Sequence, residues 1–273
     1  MKPKIGLALS GGGARGLAHI GVLKVFEEAG VPIDYISGTS MGGVIAAAYA
    51  CGTPVAEIEE KALQLTQMRE LIKMVDLSPQ RRGLIEGNKV RDFLVELFID
   101  RHFENLRIPL ALPAVDLVTS REVVFTSGLV LPAVLATIAF PALFRPVEIG
   151  SYRLVDGGVL NNLPVDRVRE LGAEYVIAVD AQFDPYTVKP WQDLPGPMRF
   201  PLPVPDFFLD FYRAELIMVA ELTQAHLKAH PPELLLRPPI PPDVTMFLGF
   251  PRGGEIIQAG EYCARLALPE ILA

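Results

Sequence analysis

Three times along this chain a short apolar run breaks off into glycine. Ile5-Gly6-Leu7-Ala8-Leu9 leads into Ser10-Gly11-Gly12-Gly13, Tyr35-Ile36-Ser37 into Gly38-Thr39-Ser40-Met41-Gly42, and Arg153-Leu154-Val155-Asp156 into Gly157-Gly158. After the first two, helical material follows. Leu17, Ile20, Val22, Leu23 and Phe26 fall mostly on one face of a segment over 14–29, which Gly30 closes, and the Ala-rich stretch 41–50 favours a helix. A chain that keeps passing from strand to helix through such turns builds a parallel-rich sheet covered by helices on both faces.

The alternation continues to the end of the sequence. Pro54 opens another helix, 88–99 is amphipathic, and strands over 110–119 and 122–128 are joined by a turn. An apolar helix at 129–139 and a hairpin at 144–158 follow, and 174–181 (EYVIAVDA) is apolar enough for a buried central strand. A helix at 207–229, a strand at 233–237 and a helix from 253 onward complete a single α/β domain over 1–273: three layers, α/β/α, with a mainly parallel central sheet. Its motif-bearing core is 4–181 and its helical completion 207–273. Between them, 185–206 carries seven prolines and large apolar side chains, Trp191, Met198 and Phe200 among them. That segment is too proline-rich for regular structure and too apolar for a solvated linker, so it is expected to form a flap near the site or a patch that touches lipid.

Bulk properties exclude several classes. A length of 273 residues is ample for a core, and a net charge of −7 leaves no general basic surface for nucleic acid. Cys51 and Cys263 form neither a disulfide framework nor a metal spacing. The apolar run at the N-terminus is too short for a secretory signal. The longest apolar tract, 129–144, contains Pro132 and Pro141 and falls short of the roughly 20 residues a membrane span needs. A cytoplasmic protein is expected, any membrane contact being peripheral.

Gly11-Gly12-Gly13-Ala14-Arg15-Gly16 satisfies the dinucleotide-binding pattern G-x-G-x-x-G. A ribose-binding acid, however, belongs at the carboxyl end of the second strand. Asp34 stands at that strand's start, and Gly38-Thr39-Ser40 occupies the end. No cofactor is therefore expected. What the glycines offer is a row of backbone N–H groups at a helix start, suited to stabilising an anion.

Gly38-Thr39-Ser40-Met41-Gly42 fits the nucleophile elbow G-x-S-x-G, in which a sharp strand-to-helix turn lifts a serine hydroxyl over the sheet edge. Such a serine needs a base. Of the four histidines, His19 lies in the first helix, His102 in a connecting stretch, and His226 and His230 four apart on a late helix. Each reads as a packed or surface histidine, and no third metal ligand joins the late pair. The order Ser, acid, His of an α/β-hydrolase fits poorly, since only two strands precede Ser40. Asp156, at a strand end against Gly157-Gly158, is the better candidate; Asp116 and Asp180 are alternatives.

The three glycine signatures, in this order, resemble those of the patatin-like phospholipase family. The flanking stretches 16–23 (GLAHIGVL), 137–147 (TIAFPALFRPV) and 161–165 (NNLPV) are similar to the family as well, with Thr137 standing where relatives often carry serine. The resemblance implies a Ser-Asp dyad acyl hydrolase that works without histidine, metal or cofactor on lipid or other acyl-ester substrates. In it Ser40 is the nucleophile, Asp156 the base, and the backbone N–H groups of Gly11, Gly12 and Gly13 the oxyanion hole. Gly16, Gly38, Gly42, Gly157 and Gly158 support the turns, and Arg15 is expected to brace the glycine loop. A thioesterase or acyltransferase using the same dyad is the alternative; the three intact signatures argue against a catalytically silent lipid-binding relative, which has no need of Ser40 or Asp156. Asp156 is expected to be buried beside Ser40, because a carboxylate is a weak base at neutral pH unless desolvated.

Overall fold

Adjacent residues along the strands face opposite apolar layers, and that alternation organises the molecule. The computed structural model of the protein describes residues 2–65, 87–182, 206–246 and 249–272, without the side chains of 206–209. Its strands are β1 (Ile5–Leu9), β2 (Tyr35–Gly38), β3 (Leu110–Asp116), β4 (Arg121–Phe125), β5 (Val147–Ile149), β6 (Tyr152–Asp156), β7 (Tyr175–Val179) and β8 (Leu234–Leu236). They form one eight-stranded sheet in the order β5-β6-β3-β2-β1-β7-β8, with β4 paired to β3 off that path. The pairs β1–β2, β1–β7, β2–β3 and β7–β8 are parallel. Around β3 the sheet turns antiparallel, in the pairs β3–β4, β3–β6 and β5–β6.

Register decides where the site can form. Leu9 pairs with Gly38 and with Val179, and Val179 with Leu236. The carboxyl ends of β1, β2, β7 and β8 are therefore level, and open α/β sheets bind ligands at that edge. β2 runs along the start of β3, with Ser37 opposite Ala111. β6 runs back along its end and stops with Asp156 opposite Ala114. The ends of β2 and β6 thus approach each other from opposite directions along one strand.

On one face Leu7, Leu9, Ile36, Ile177 and Val179 pack against α1 (Ala18–Glu28), α2 (Ser40–Ala50), α3 (Val55–Leu65), α4 (Asn88–Phe98), α5 (Val130–Thr137) and α8 (Gly253–Ile271). On the other, Ala8, Val176 and Ala178 meet Val165 and Val168 of α6 (Val165–Glu170), with Leu227 of α7 (Asp206–Ala229) against them. This is the three-layer α/β/α arrangement with a mainly parallel sheet expected from the alternation. α1 and α8 cross closely through glycine. A Cβ at Gly260 would lie 1.9 Å from the Ala18 carbonyl oxygen, and one at Gly21 2.0 Å from that of Ile257.

Two local expectations change. The helix expected over 14–29 begins as a 3-10 turn, Gly13–Leu17, a tighter winding that passes under α2, where a Cβ at Gly16 would sit 2.7 Å from the Met41 Cγ. α6 has no counterpart in the sequence reading, because six residues are too few to show a helical period. Apart from Asp206, the proline-rich segment 185–206 lies outside the described residues. Among those residues no helix is long and apolar enough to cross a membrane.

Candidate active site

The turn after β2 is held at several points. The Thr39 N–H donates to the Leu9 carbonyl at 3.1 Å, and its hydroxyl to the Asn161 carbonyl at 2.8 Å. Ser37 Oγ donates to the Pro164 carbonyl at 2.8 Å, and the Gly11 N–H to the Asn162 carbonyl at 3.0 Å. The stretch Asn161–Pro164 therefore laces the ends of β1 and β2 together. Gly38 and Gly42 make the corner sterically feasible: a Cβ at Gly38 would lie 2.5 Å from the Gly42 carbonyl oxygen, and one at Gly42 2.4 Å from that of Ser10.

Ser40 begins α2 at φ 53°, a left-handed conformation costing a non-glycine residue of order 1–3 kcal/mol. Its N–H donates to Thr137 Oγ1 at 3.1 Å, and that hydroxyl donates to the Pro113 carbonyl at 2.6 Å. Thr137, marked in the sequence only as a departure, thereby ties the strained corner to β3.

Asp156 is 3% exposed. Its N–H donates to the Ala139 carbonyl at 3.0 Å, and its Oδ1 accepts from the Gly158 N–H at 2.8 Å. Oδ2 is buried without a hydrogen bond. Burial raises the carboxyl to about 7, opposed by the Gly158 N–H and, more weakly, by the Ser40 hydroxyl. That hydroxyl is near enough to favour the carboxylate but makes no hydrogen bond to Oδ2. Gly157 and Gly158 leave room for this approach; Cβ atoms there would lie 2.4 Å from the Pro113 oxygen and 2.7 Å from Asn162 Oδ1.

The glycine loop is only partly free. The Gly11 N–H is committed to Asn162, whereas those of Gly12 and Gly13 make no hydrogen bond among the described residues. Gly13 has φ 54°, and a Cβ there would run into Met246, 2.1 Å from its Cγ. Arg15, 7% exposed, donates to the backbone carbonyls of Ala181, Gln182, Pro241 and Val244. Burial lowers its pKa to about 10. It pins the strand-end loops to the turn that begins at Gly13.

The other candidates have structural partners. His19 is fully buried with Nε2 2.8 Å from the Ser10 carbonyl, and burial lowers it to about 4, so it is neutral. Asp116 caps the β3–β4 turn, accepting from the backbone of Arg153, Val118 and Thr119 and from the Thr119 hydroxyl, which lowers it to about 2. Asp180 accepts from the Gln182 N–H and Arg237. Asp34 accepts from the Ile5 N–H at the far edge of the sheet, away from the glycine loop. His226 and His230 lie with ring centroids 6.5 Å apart, and no metal-holding group forms among the described residues.

Ser40, Asp156 and Gly12 open into one cavity, closed over by α7 and by the segment around Met246. A larger cavity, lined by Arg91, Phe144, Arg145 and Arg153, holds no hydroxyl–carboxylate pair; chemistry rather than size identifies the site. Phe140 enters the cavity that holds Ser40 and Asp156 and stacks edge-to-face on Tyr212, with centroids 6.3 Å apart. α5, by contrast, is core: Val130, Ala133, Val134 and Ala136 are fully buried.

Two residues in the cavity escaped the sequence reading. Asn162 is buried with Nδ2 unpartnered, and the adjacent asparagines after the Asp156 turn were its signal. Glu215, 6% exposed, is raised to about 8 by burial and by the Asp156 carboxylate. Its signal was an acid interrupting the apolar stripe Tyr212, Leu216, Val219 on α7. A carboxylate with one bare oxygen beside a strained serine, with Gly12 lining the same cavity, can accept the serine proton and offer a backbone donor to an oxyanion.

A family model described as patatin-like phospholipase matches residues 7–169, more than half of the chain. An uncharacterized NTE family protein of Mycobacterium tuberculosis is 36% identical over 177 residues, covering 65% of this chain and 49% of that protein. The neuropathy target esterase sws of Drosophila melanogaster is 32% identical over 219 residues, covering 74% of this chain and 15% of its own. Human patatin-like phospholipase domain-containing protein 6 is 36% identical over 182 residues, covering 64% and 13% respectively. The chain thus spans about half the length of the mycobacterial relative and a smaller share of the animal ones. Among solved structures, VipD from Legionella pneumophila is similar in fold, with a TM-score of 0.51 at 13% identity over 99% of this chain and 67% of VipD. The matched span runs from β1 through α6 and so contains the glycine loop, the Ser40 corner and the Asp156 turn; by that span the chain belongs to the patatin-like phospholipase family.

Proposed function

We propose that the protein is a serine acyl hydrolase that cleaves fatty-acyl esters of lipids through an acyl-Ser40 intermediate, with Asp156 as general base. The observation that carries the reading is the Asp156 carboxylate, buried beside Ser40 with Oδ2 bare and its pKa raised to about 7. Family membership supports a hydrolase of this broad class.

In the cycle, Ser40 Oγ attacks the ester carbonyl as its proton passes to Asp156 Oδ2. The oxyanion is held by the N–H groups of Gly12 and Gly13, at the start of a helical turn. Gly11, assigned to the same role from the sequence, instead holds the loop to Asn162. Departure of the alcohol leaves acyl-Ser40, which water hydrolyses. Membrane contact would bring the cavity to its substrate, and remains peripheral in this reading.

General-base assistance is typically worth about 10²–10⁴ in rate. Ser40→Ala is expected to abolish turnover of a fatty-acyl ester, and Asp156→Asn to lower kcat by that factor, with circular dichroism unchanged in both. Wild-type turnover in either folded variant overturns the dyad.

A further inference from the structure

Glu215 sits on α7, outside the family-matched span 7–169, yet lines the same cavity as Ser40 and Asp156. Its Oε2 is buried without a hydrogen-bond partner. A buried carboxyl left unpaired is costly, and its neighbours in the cavity wall, Leu216 and Val219, show that apolar residues suit this face. Asp156 handles one proton; nothing in the cycle above uses Glu215.

We infer that Glu215 is a second catalytic carboxyl, which protonates the departing alkoxide while Asp156 takes the proton of Ser40, so that the site is built for esters of unactivated aliphatic alcohols. The inference rests on the Ser40–Asp156 reading. Glu215 shares the cavity wall with Asp156 from β6, Tyr212 from its own helix and Arg15 from the first glycine turn, and of these Asp156 and Tyr212 interact with it electrostatically. Arg15 spreads its charge over four backbone carbonyls, and burial pushes the Tyr212 hydroxyl up, keeping it neutral. The Asp156 charge holds Glu215 protonated after Asp156 has ionised. A carboxylate base beside a carboxyl whose ionisation it opposes supplies one base and one acid in the same cavity.

The proton balance closes over one turnover. In acylation the Ser40 Oγ–C bond forms, the Ser40 proton goes to Asp156, the C–O bond to the alcohol breaks, and the alkoxide takes the Glu215 proton. In deacylation water attacks the acyl carbon, its proton goes to the Glu215 carboxylate, the C–Oγ bond breaks, and Ser40 recovers its proton from Asp156. Both carboxyls return to their starting states. An acid at the leaving oxygen matters for an alkoxide and hardly at all for an anion that departs readily, such as p-nitrophenolate.

The test compares kcat/KM for ethyl octanoate and p-nitrophenyl octanoate in wild type, Glu215→Gln and Glu215→Leu, followed by pH-stat. Gln is isosteric with the neutral acid and suits the same helix position, and Leu guards against a Gln-specific effect. The ethyl to p-nitrophenyl ratio is expected to fall about 10²-fold in both variants. The alkaline limb of the wild-type ethyl ester profile, where Glu215 ionises, is expected to vanish in Glu215→Gln. An unchanged ratio, or an equal loss on both esters, overturns the inference while leaving the dyad intact. Wild-type protein inert toward both esters overturns the dyad and this inference with it.

Discussion

Burying Asp156 costs stability, and the sign of that cost is measurable. Its pKa rises from the ordinary 3.8 to about 7 in the folded protein. The native state therefore holds a proton that the unfolded chain has released between about pH 4 and 7, and stability falls as pH climbs through that window. Asparagine cannot ionise. In urea unfolding, Asp156→Asn is expected to exceed wild type at pH 8 by up to about 4 kcal/mol, at 1.36 kcal/mol per unit, and to match it near pH 4. A variant less stable at pH 8 contradicts the burial argument. For catalysis the same shift predicts kcat/KM falling as pH drops below about 7, where the base is protonated. At this scale Ser40, Asp156 and the glycines were legible in the sequence, because each chemistry-bearing residue stands next to glycines that a tight backbone turn requires. The commitment of the Gly11 N–H, the bare amide of Asn162 and the carboxyl of Glu215 were not, because their partners are set by contacts across the fold.

The elements matter through how their ends are tied. α2 starts at a strained serine, and one hydroxyl, Thr137 Oγ1, joins that start to β3 through the Ser40 N–H and the Pro113 carbonyl. Thr137→Val keeps the shape and removes the hydroxyl, leaving the buried Pro113 carbonyl unpaired, at a cost of about 1–3 kcal/mol, and the part-buried Ser40 N–H unpaired at a smaller one. A fall in stability of that order by denaturant unfolding is expected, together with reduced turnover; Thr137→Ser is expected to retain both. Full stability in Thr137→Val would show that the corner is held elsewhere. The long helices and apolar strands followed from periodicity and punctuation. α6 and the 3-10 turn at Gly13–Leu17 did not, one being too short and the other shaped by packing under Met41.

At the scale of the whole molecule, the sheet brings together three segments far apart in the chain. β1 and β2 lie side by side in parallel, as strand–turn–helix units require. The arrival of β6 antiparallel against the end of β3 has no local signature, yet it is what points Asp156 at Ser40. α7 and the residues around Met246, beyond the family-matched span, close the cavity from above. The proposed reactivity of Ser40 depends on the assembled fold, and it is the quantity to measure first. Fluorophosphonate labelling followed by peptide mapping is expected to give a single adduct on Ser40, lost in Asp156→Asn and lost with the fold in denaturant. A folded wild-type protein that forms no adduct, or that forms it on another residue, would contradict the account.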